Sequence, residues 1–434
     1  MGAVVAIVGR PNVGKSTLFN RLVGGRKAIV EERSGVTRDR HYDVSEWTGK
    51  EFTVIDTGGY LSDSDDVFQK EIKQQVHTAI EQADAIIFMV DVTTGITGPD
   101  EEIADALRKS GKKVFLVANK VDNNTRRPEA AVFYTFGLGE VFSVSSTNGS
   151  GTGELLDELV ASLTGEAQTA EDDLPRFAVV GRPNVGKSSL INTLTGEQRS
   201  IVTPVPGTTR DAVDTHYRAF GFDFILLDTA GIRKRGKVTD NLEFYSVMRS
   251  IKAIESCDVC ILIIDVTEGI TAQDLHIFRL AVDRGKGIAI LANKWDLIDK
   301  DTQLAKEMEE QILSKTAPFT DVPVVFTSVM NKQRVLRGMQ TALDVYTNRS
   351  TRIRTRDLND FLLPLIEKHP PPASRGRYVK IKYITQLPTA VPSFALFCNF
   401  PDEVGENYKR YIENRLREKY TFSGVPVRIY FRKK

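Results

Sequence analysis

The sequence predicts an α/β protein made of two tandem copies of one domain, followed by a smaller α+β domain. Three observations predict this architecture. The segment GRPNVGKST at 9–17 recurs as GRPNVGKSS at 181–189, displaced by 172 residues. Apolar, strand-like segments alternate with helical segments after each copy. The basic residues are concentrated after residue 350, in a part of the chain that neither copy covers.

Three further motifs recur in the same order, which supports a duplicated domain. Each motif and its second copy are GVTRD (35–39) and GTTRD (207–211), DTGG (56–59) and DTAG (228–231), and NKVD (119–122) and NKWD (293–296). The first two pairs are displaced by 172 residues and the third by 174. The expected segments are therefore a first domain at 1–164, an acidic linker at 165–175, a second domain at 176–349 and a basic domain at 350–434.

The strand-like segments of the first copy are continuous apolar runs. AVVAIVG leads into the repeated loop, and a helix is expected near Lys15 to Val23. DVSEWTG and EFTVIDT are expected to form a hairpin, and AIIFMVDV, KKVFLVAN and VFSVS to form buried strands separated by helices. Continuous apolar strands with intervening helices predict a mostly parallel sheet covered by helices on both faces. Such sheets bind ligands at the carboxyl ends of their strands.

Composition excludes several protein classes. The chain has 434 residues, 41% hydrophobic and 26% charged, which is typical of a soluble globular protein. No apolar run approaches the ~20 residues of a membrane span, and the amino-terminal segment lacks the basic start of a signal peptide. We therefore expect a cytoplasmic protein without a membrane span. The pair Cys257 and Cys260 in CDVC aligns with ADAI at 83–86 of the first copy, which favours a core strand over a metal or redox site.

Charge is distributed unevenly along the chain. From Ser350 to Lys434 there are 17 Lys and Arg against 8 Asp and Glu, a net charge of +9. The preceding residues carry −8, although the whole chain carries only +1. A basic terminal domain predicts a polyanionic partner.

The repeated segment has the spacing G-x-x-x-x-G-K-S of a phosphate-binding loop. Backbone N–H groups of such a loop surround a phosphate at a helix N-terminus, and glycine is needed where a Cβ would block the approach. The Lys side chain reaches the β- and γ-phosphates, and the Ser hydroxyl reaches Mg²⁺. Lys15 and Lys187 are thus also candidate catalytic residues. The predicted nucleotide-binding residues are Gly9, Arg10, Pro11, Asn12, Val13, Gly14, Lys15 and Ser16, and Gly181, Arg182, Pro183, Asn184, Val185, Gly186, Lys187 and Ser188.

The D-T-G/A-G motif predicts contacts to a metal ion and to the γ-phosphate. Its Asp can hold a Mg²⁺-bound water, its last Gly N–H senses the γ-phosphate, and the Thr of T-R-D can complete the metal shell. The alternative for that Thr is an ordinary loop residue before a strand. Predicted nucleotide contacts are Asp56, Thr57, Gly58 and Gly59, with Asp228, Thr229, Ala230 and Gly231. Predicted metal ligands are Ser16, Thr37, Asp56, Ser188, Thr209 and Asp228, and the candidate catalytic residues here are Thr37, Gly59, Thr209 and Gly231.

The N-K-x-D motifs identify the base. A carboxylate can accept hydrogen bonds from guanine N1–H and the exocyclic amine together, whereas adenine would leave a buried acceptor unpaired. The motif therefore favours GTP and GDP over ATP at both sites, and the alternative for N-K-x-D alone is a turn at the end of a strand. The predicted base-binding residues are Asn119, Lys120 and Asp122, and Asn293, Lys294 and Asp296.

With these motifs in this order, the sequence resembles the translation-factor-related class of small GTPases, and specifically the bacterial double-GTPase family called Der or EngA. The resemblance covers essentially the whole chain. It implies two P-loop GTPase domains that hydrolyse GTP with Mg²⁺, a KH-like third domain, and a role in assembly or stability of the large ribosomal subunit, with ribosomal RNA and proteins as partners. The segments that fit the KH-like domain are a helix at LNDFLLPLIEKHPPP, strands at RYVKIKYITQ and SFALFCNF, a helix at ENYKRYIENRLREKY and a strand at VPVRIYFRKK.

The resemblance also implies roles for particular residues. Ser145 in SVSST and Ser328 in TSVMN lie in the guanine-contacting loops. In similar GTPases, an Asn at the position of Asn12 and Asn184 helps to hold K⁺, which makes both residues candidate catalytic and metal-binding groups. The alternative is that each Asn only satisfies a hydrogen bond of its loop.

A second observation favours the potassium hypothesis. In many GTPases a glutamine after the D-x-x-G motif orients the attacking water, but Tyr60 and Ile232 stand at that position here. Neither side chain can orient a water in this way. Because an added cation between the phosphates accelerates hydrolysis by ~10³ to 10⁵ in other GTPases, we expect a cation to be supplied from elsewhere.

Three functional hypotheses remain open at this stage. The first is a GTP-hydrolysing switch that docks on ribosomal RNA and proteins as a monomer, without a DNA partner. The second is an RNA-binding protein with structural nucleotide sites, which the complete motif sets disfavour. The third is a GTPase acting on another RNA or on a membrane, which the lack of an anchoring motif disfavours. No G-x-x-G loop of the RNA-clamping KH type occurs between 350 and 434, so the third domain is expected to act as a docking or interdomain surface.

Overall fold

The structure is a computed structural model of the chain. It describes residues 3–24, 42–57, 76–163, 174–196, 201–205, 214–227, 242–298, 302–372 and 377–433. These residues form two compact units. The first unit contains the described residues up to 163 together with the helix at 242–256, and the second contains the other described residues.

The strands and helices follow the order expected for a duplicated α/β domain. The strands are β1 Ala3–Val8, β2 Tyr42–Trp47, β3 Lys50–Asp56, β4 Ala85–Asp91, β5 Lys113–Asn119, β6 Val141–Ser143, β7 Arg176–Val180, β8 Ile201–Val205, β9 Asp214–Ala219, β10 Phe222–Leu227, β11 Val259–Asp265, β12 Gly287–Asn293, β13 Val324–Phe326, β14 Ile381–Gln386, β15 Ser393–Cys398 and β16 Arg428–Lys433. The α-helices with printed bounds are α1 Lys15–Gly24, α2 Gly98–Ser110, α3 Thr152–Ser162, α4 Lys187–Thr195, α5 Leu242–Ser256, α6 Ala272–Asp283, α7 Thr302–Lys315, α8 Val335–Ser350, α9 Thr355–Lys368 and α10 Glu406–Lys419. A 3₁₀ helix, Asn124–Phe136, precedes β6.

The first sheet has the order β2-β3-β1-β4-β5-β6. Strands β2 and β3 form the expected antiparallel hairpin, and the remaining neighbours are parallel. Continuous apolar burial of β1, β4 and β5 places these strands inside the sheet. Their carboxyl ends therefore carry the phosphate loop after β1, Asp91 at the end of β4 and Asn119 at the end of β5.

Helix α5 belongs to the first unit although it precedes β11 in the chain. Glu255 near its end is buried, and the Thr53 hydroxyl of β3 donates a hydrogen bond to its carboxylate. Because both groups are buried, each satisfies the polar atom of the other.

The second sheet repeats the first and adds one strand. Its order is β13-β12-β11-β7-β10-β9-β8, with β8, β9 and β10 antiparallel and the others parallel. One buried cluster includes Phe177, Phe224 and Tyr217, whose rings lie 4.9 Å from the Phe224 ring in each case. The predicted mostly parallel sheets are thus confirmed for both copies.

The third domain has a three-stranded sheet, β14-β15-β16, with helices α9 and α10. All five predicted elements are present. Its core includes Leu358 and Leu362 of α9 and Ile412 and Leu416 of α10, which are fully buried. The backbone N–H of Ile288 in β12 donates to a carbonyl of this domain, so the domain continues the hydrogen bonding of the second sheet within the same unit.

Two exclusions drawn from the sequence can be compared with the structure. Cys257 and Cys260 are both buried, and burial raises the pKa of the Cys260 thiol well above its ordinary value. This confirms the interpretation of CDVC as a core segment. Among the described helices, none combines the length and apolar character needed to cross a membrane.

Candidate nucleotide-binding sites

Both phosphate loops connect a buried strand to a helix. The loop glycines have backbone conformations that favour glycine, with φ of 148° at Gly9 and 143° at Gly181. A Cβ at either position would overlap the carbonyl oxygen of Met89 or Ile263, respectively. Only glycine therefore lets each loop pass this close to the neighbouring strand.

Lys15 projects back over the first loop. Its Nζ donates to the carbonyls of Gly9 at 2.8 Å and Arg10 at 2.9 Å. Burial lowers the pKa of Lys15 from 10.5 to about 8, an effect that nearby Asp56 opposes and Arg10 reinforces. A bound phosphate would supply the missing negative charge, so the site is suited to an anion.

The second loop has the same arrangement. Lys187 Nζ donates to the carbonyl of Arg182 at 2.6 Å and to that of Gly181. The two Lys residues thus hold equivalent positions, as the repeat predicts.

The predicted metal ligands of the first copy are in contact. Ser16 Oγ donates to Asp56 Oδ2 at 2.5 Å, and Asp56 is buried at the end of β3. A hydroxyl and a carboxylate at one point beside a phosphate loop are the hard oxygen ligands that Mg²⁺ prefers. The adjacent Thr57 hydroxyl donates to the carbonyl of Ile7 at 2.9 Å, which ties the end of β3 to β1.

Asn119 connects the phosphate loop to the predicted base loop. Its Nδ2 donates to the carbonyl of Val13 at 2.7 Å, and its Oδ1 accepts from the backbone N–H of Ser146 at 2.9 Å. A Cβ on Gly14 would overlap the Asn119 amide nitrogen, which explains why glycine stands there. The motif residue therefore joins two ligand-binding loops as well as facing the base site.

Asn293 makes the same two bonds in the second copy. Its Nδ2 donates to Val185 O at 2.8 Å, and its Oδ1 accepts from Val329 N at 3.0 Å. The backbone N–H groups at 146 and 329 are those expected to face guanine, and here they are bonded to the Asn side chains. Their own side chains take no part, so Ser146 and Val329 can differ.

The predicted base carboxylate of the first copy is held by a serine. Ser145 is fully buried, and its Oγ donates to Asp122 Oδ1 at 2.6 Å. Its counterpart Ser328 is also buried, and Ser328 Oγ accepts from Asn331 N at 3.2 Å. Asp296 lies half-buried in a short 3₁₀ helix directly after β12.

Two acidic residues near the base sites were not predicted. Asp91 Oδ2 lies 2.6 Å from Lys120 Nζ, and Asp265 Oδ2 lies 2.5 Å from Lys294 Nζ. Burial opposes ionisation of Asp91, but hydrogen bonds from Lys120 and from Thr93 lower its pKa. Both Lys residues have a left-handed backbone, with φ of 67°. The ion pairs therefore fix the direction of a side chain whose backbone is strained.

A second pair of unpredicted carboxylates holds the phosphate loops. Arg10 Nε donates to Asp100 Oδ2 at 3.2 Å, and Arg182 Nε donates to both carboxylate oxygens of Asp274 at 3.2 and 3.1 Å. Each Asp is fully buried in the first turn of a helix, α2 or α6. A capping box with the preceding Thr97 satisfies further lone pairs of Asp100.

A repeat that the motif search passed over contains these carboxylates. DVTTGITGPD at 91–100 recurs as DVTEGITAQD at 265–274, displaced by 174 residues like the N-K-x-D motif. This recurrence was a signal available in the sequence. One position differs usefully, because Thr94 contacts Arg10 while its counterpart Glu268 lies 2.8 Å from Arg182.

Asn12 and Asn184 lie at the exposed tips of the two loops. Both have a left-handed backbone, with φ of 61° and 66°. Asn tolerates this conformation better than most residues, which is a structural reason for Asn that the sequence alone did not show. Pro11 and Pro183 precede them.

Several predicted site residues lie outside the described residues. They are Thr37, Gly58, Gly59, Thr209, Asp228, Thr229, Ala230 and Gly231, together with Tyr60 and Ile232. The γ-phosphate and metal contacts assigned to them stay predictions. In the described part of the chain, no cluster of three His, Cys, Asp or Glu residues could hold a metal ion.

Comparison with known proteins agrees with the duplicated site. A family model described as a 50S ribosome-binding GTPase matches residues 4–120 and 176–294. A second model, described as the KH-domain-like C-terminal domain of EngA bacterial GTPase enzymes, matches residues 352–432. Curated proteins called GTPase Der match over the full length. The protein of Christiangramia forsetii is 58% identical over 100% of both chains, and that of Flavobacterium johnsoniae is 56% identical over 99% of both.

This chain belongs to the Der family of GTPases. It binds GTP and GDP and hydrolyses GTP, as the paired motifs predicted. Its fold is two P-loop GTPase domains followed by a KH-like domain, so the fold class expected from the sequence is confirmed.

Proposed function

We propose that this Der-family GTPase is a nucleotide-controlled switch that acts in the cytoplasm on assembly or stability of the large ribosomal subunit. The observation that carries this proposal is the connection of two GTPase sites to a domain with a net charge of +9. A polyanion such as ribosomal RNA fits that charge. The match to a model described as a 50S ribosome-binding GTPase supports the same partner.

The roles of individual residues follow the geometry. The loops at 9–16 and 181–188 hold the phosphates, and the N-K-x-D residues with Ser145 and Ser328 hold guanine. The domain boundaries proposed from the sequence, 1–164, 176–349 and 350–434, are retained with the linker at 165–175. One chain is proposed to act as a monomer, without DNA.

Mg²⁺ is proposed as the metal of both sites. In the first copy, the contact between Ser16 Oγ and buried Asp56 supports this assignment. Mg²⁺ would neutralise charge on the β- and γ-phosphates. In the second copy Ser188 is the corresponding hydroxyl, and Asp228, Thr37 and Thr209 are retained as proposed ligands on the sequence alone.

K⁺ is proposed as a second cation, near Asn12 and Asn184. Both side chains are exposed at the tip of a phosphate loop, where an amide oxygen could reach an ion beside the phosphates. The left-handed backbone gives the competing explanation, because it favours Asn for conformational reasons alone. Substitution by Gly separates the two explanations, because Gly keeps the conformation and removes the amide.

Sedimentation with purified ribosomal subunits tests the proposed partner. The full-length protein is expected to pellet with large subunits, and not with small subunits or liposomes, to an extent that depends on whether it holds a GTP analogue or GDP. Binding through phosphate contacts should also weaken as salt rises.

The intact chain is needed for this test. Deleting 350–434 would remove Gly424, whose carbonyl accepts from Ile288 N at 2.7 Å, and would expose the edge of the second sheet. Asp296→Asn in the full chain is the better control, because it should reduce the nucleotide effect without unfolding. Binding to large subunits that is independent of nucleotide would contradict a switch, and equal binding to liposomes would support the membrane hypothesis instead.

A further inference from the structure

The sheet of the third domain has two chemically different faces. Cross-strand neighbours Ile384, Leu396 and Phe431 form a row that packs against the helices. The adjacent row, Tyr383, Phe397 and Arg432, points to the opposite face, because neighbouring rows of a sheet alternate between faces. We call this opposite side of β14–β16 the open face.

The open face presents aromatic rings to solvent. Tyr383 and Tyr430 are 44% and 39% exposed, and Phe397 is half-buried between strands. The ring centroids of Tyr383 and Phe397 lie 5.9 Å apart. Tyr430 belongs to the next row on the same face, opposite Ala395. Large rings at such positions on a central part of a sheet are available to stack on another flat group.

The same strands are basic. Residues 377–386, 393–398 and 428–433 contain six Lys and Arg and no Asp or Glu. Lys380, Lys382, Arg432 and Lys433 are exposed. Arg428 is committed elsewhere, since its NH2 donates to the carbonyl of Asp283 at 2.9 Å. The exposed cations therefore surround the rings without internal neutralisation from their own strands.

This combination selects a ligand with both negative charge and flat unsaturated rings. An acidic peptide would neutralise the cations but would not use the aromatic rings. A nucleic acid duplex would offer phosphates but would hide the faces of its bases. A single strand offers both, because its bases can stack on aromatic side chains while its phosphates meet Lys and Arg.

We propose that the open face binds single-stranded RNA, with bases stacked on Tyr383 and Tyr430 and phosphates held by Lys382 and Arg432. This mode differs from the clamp of a KH domain, which needs the G-x-x-G loop that residues 350–434 lack. The inference rests on the proposed function for the source of the RNA, an exposed single-stranded region of the large subunit or its precursor.

Affinity of the full-length protein for a fluorescein-labelled 12-nucleotide oligouridylate tests the stacking. Tyr383→Ala and Tyr430→Ala are each expected to weaken binding by about 5- to 150-fold, as loss of one stacked base does elsewhere. The slope of log affinity against log salt should stay unchanged, because no charge is lost. Tyr383→Phe and Tyr430→Phe keep the ring and should bind within about twofold of wild type.

Charge and position are tested by further variants. Arg432→Gln should reduce the salt slope by about 0.7, the value for one phosphate contact on a single strand. Two controls lie outside the open face. Tyr134→Ala removes a tyrosine that is 56% exposed in the first unit, and Arg356→Gln removes an exposed arginine of α9. Neither should change RNA affinity.

The outcomes separate this inference from the proposed function. Oligouridylate binding that is unaffected by the Ala variants would overturn the inference, as would equal affinity for an RNA duplex or for oligodeoxyuridylate. Equal losses in the Phe and Ala variants would overturn stacking. If the wild type failed to pellet with large subunits but bound oligouridylate through the open face, the proposed function would fail and this inference would stand.

Discussion

Removing the amide of Asn119 should disable the first nucleotide site. In the structure this side chain satisfies two buried backbone groups, the Val13 carbonyl at 2.7 Å and the Ser146 N–H at 2.9 Å. Asn119→Ala leaves both without this partner. A buried polar group left unpaired costs about 1–3 kcal/mol, so we expect ~2–6 kcal/mol in total against the arrangement of the loops that binds nucleotide.

That free energy corresponds to at least about 30-fold weaker GDP binding at the first site. Titration calorimetry with GDP measures it, because wild type should show two tight sites and Asn119→Ala only one. Asn293→Ala is the matched variant, since Asn293 makes the same two bonds in the second copy. The double variant should show none.

The control is Asn123→Ala, four residues further along the chain. Asn123 is exposed, and its side chain only caps the 3₁₀ helix by accepting from Arg126 N. This variant should retain both sites. Affinity of Asn119→Ala within about threefold of wild type at both sites would refute the view that Asn119 holds the two loops together.

Three other predictions concern charge, cations and the base. Burial lowers the pKa of Lys15 to about 8, so between about pH 8 and 10.5 the unfolded chain binds more protons, and stability of the nucleotide-free protein should gain from rising pH; urea unfolding should show this gain lost in Lys15→Met, and identical pH slopes would contradict it. GTP hydrolysis should be faster in K⁺ than in Na⁺ at equal ionic strength, and both Ala and Gly at Asn12 or Asn184 should reduce the difference at that site; a Gly variant with full K⁺ preference would assign the Asn to backbone conformation. Asp296→Asn should lower the count of guanine nucleotides per chain from two to one in equilibrium dialysis, since the Asp122 site belongs to a separate domain, and a wild-type count of one would show that a site is inactive.

Motifs within one loop could be predicted from the sequence because their chemistry depends on local spacing. The phosphate loops and N-K-x-D turns are of this kind, and the alternation of strands and helices placed them at one edge of each sheet. Contacts between distant segments depend on strand order, which the sequence did not specify. Arg10 and Asp100 are 90 residues apart and meet because β1 and β4 are neighbours in the sheet. The duplicated segment at 91–100 and 265–274 marked these residues as shared, but it did not indicate their partners.

The open face of the third domain shows a different limit of sequence patterns. With strict alternation, Ile381 and Tyr383 would share a face of β14, and Tyr383 would be counted in the core. The register of β14 shifts between these two residues, so Ile381 stays on the helix face and Tyr383 moves to the open face, opposite Phe397. The irregularity therefore converts a tyrosine that a regular strand would bury into a ring exposed beside Lys382. Bulges are features that redirect side chains at functional surfaces, and here the redirected side chain is one of the two tyrosines on which the proposed RNA binding depends.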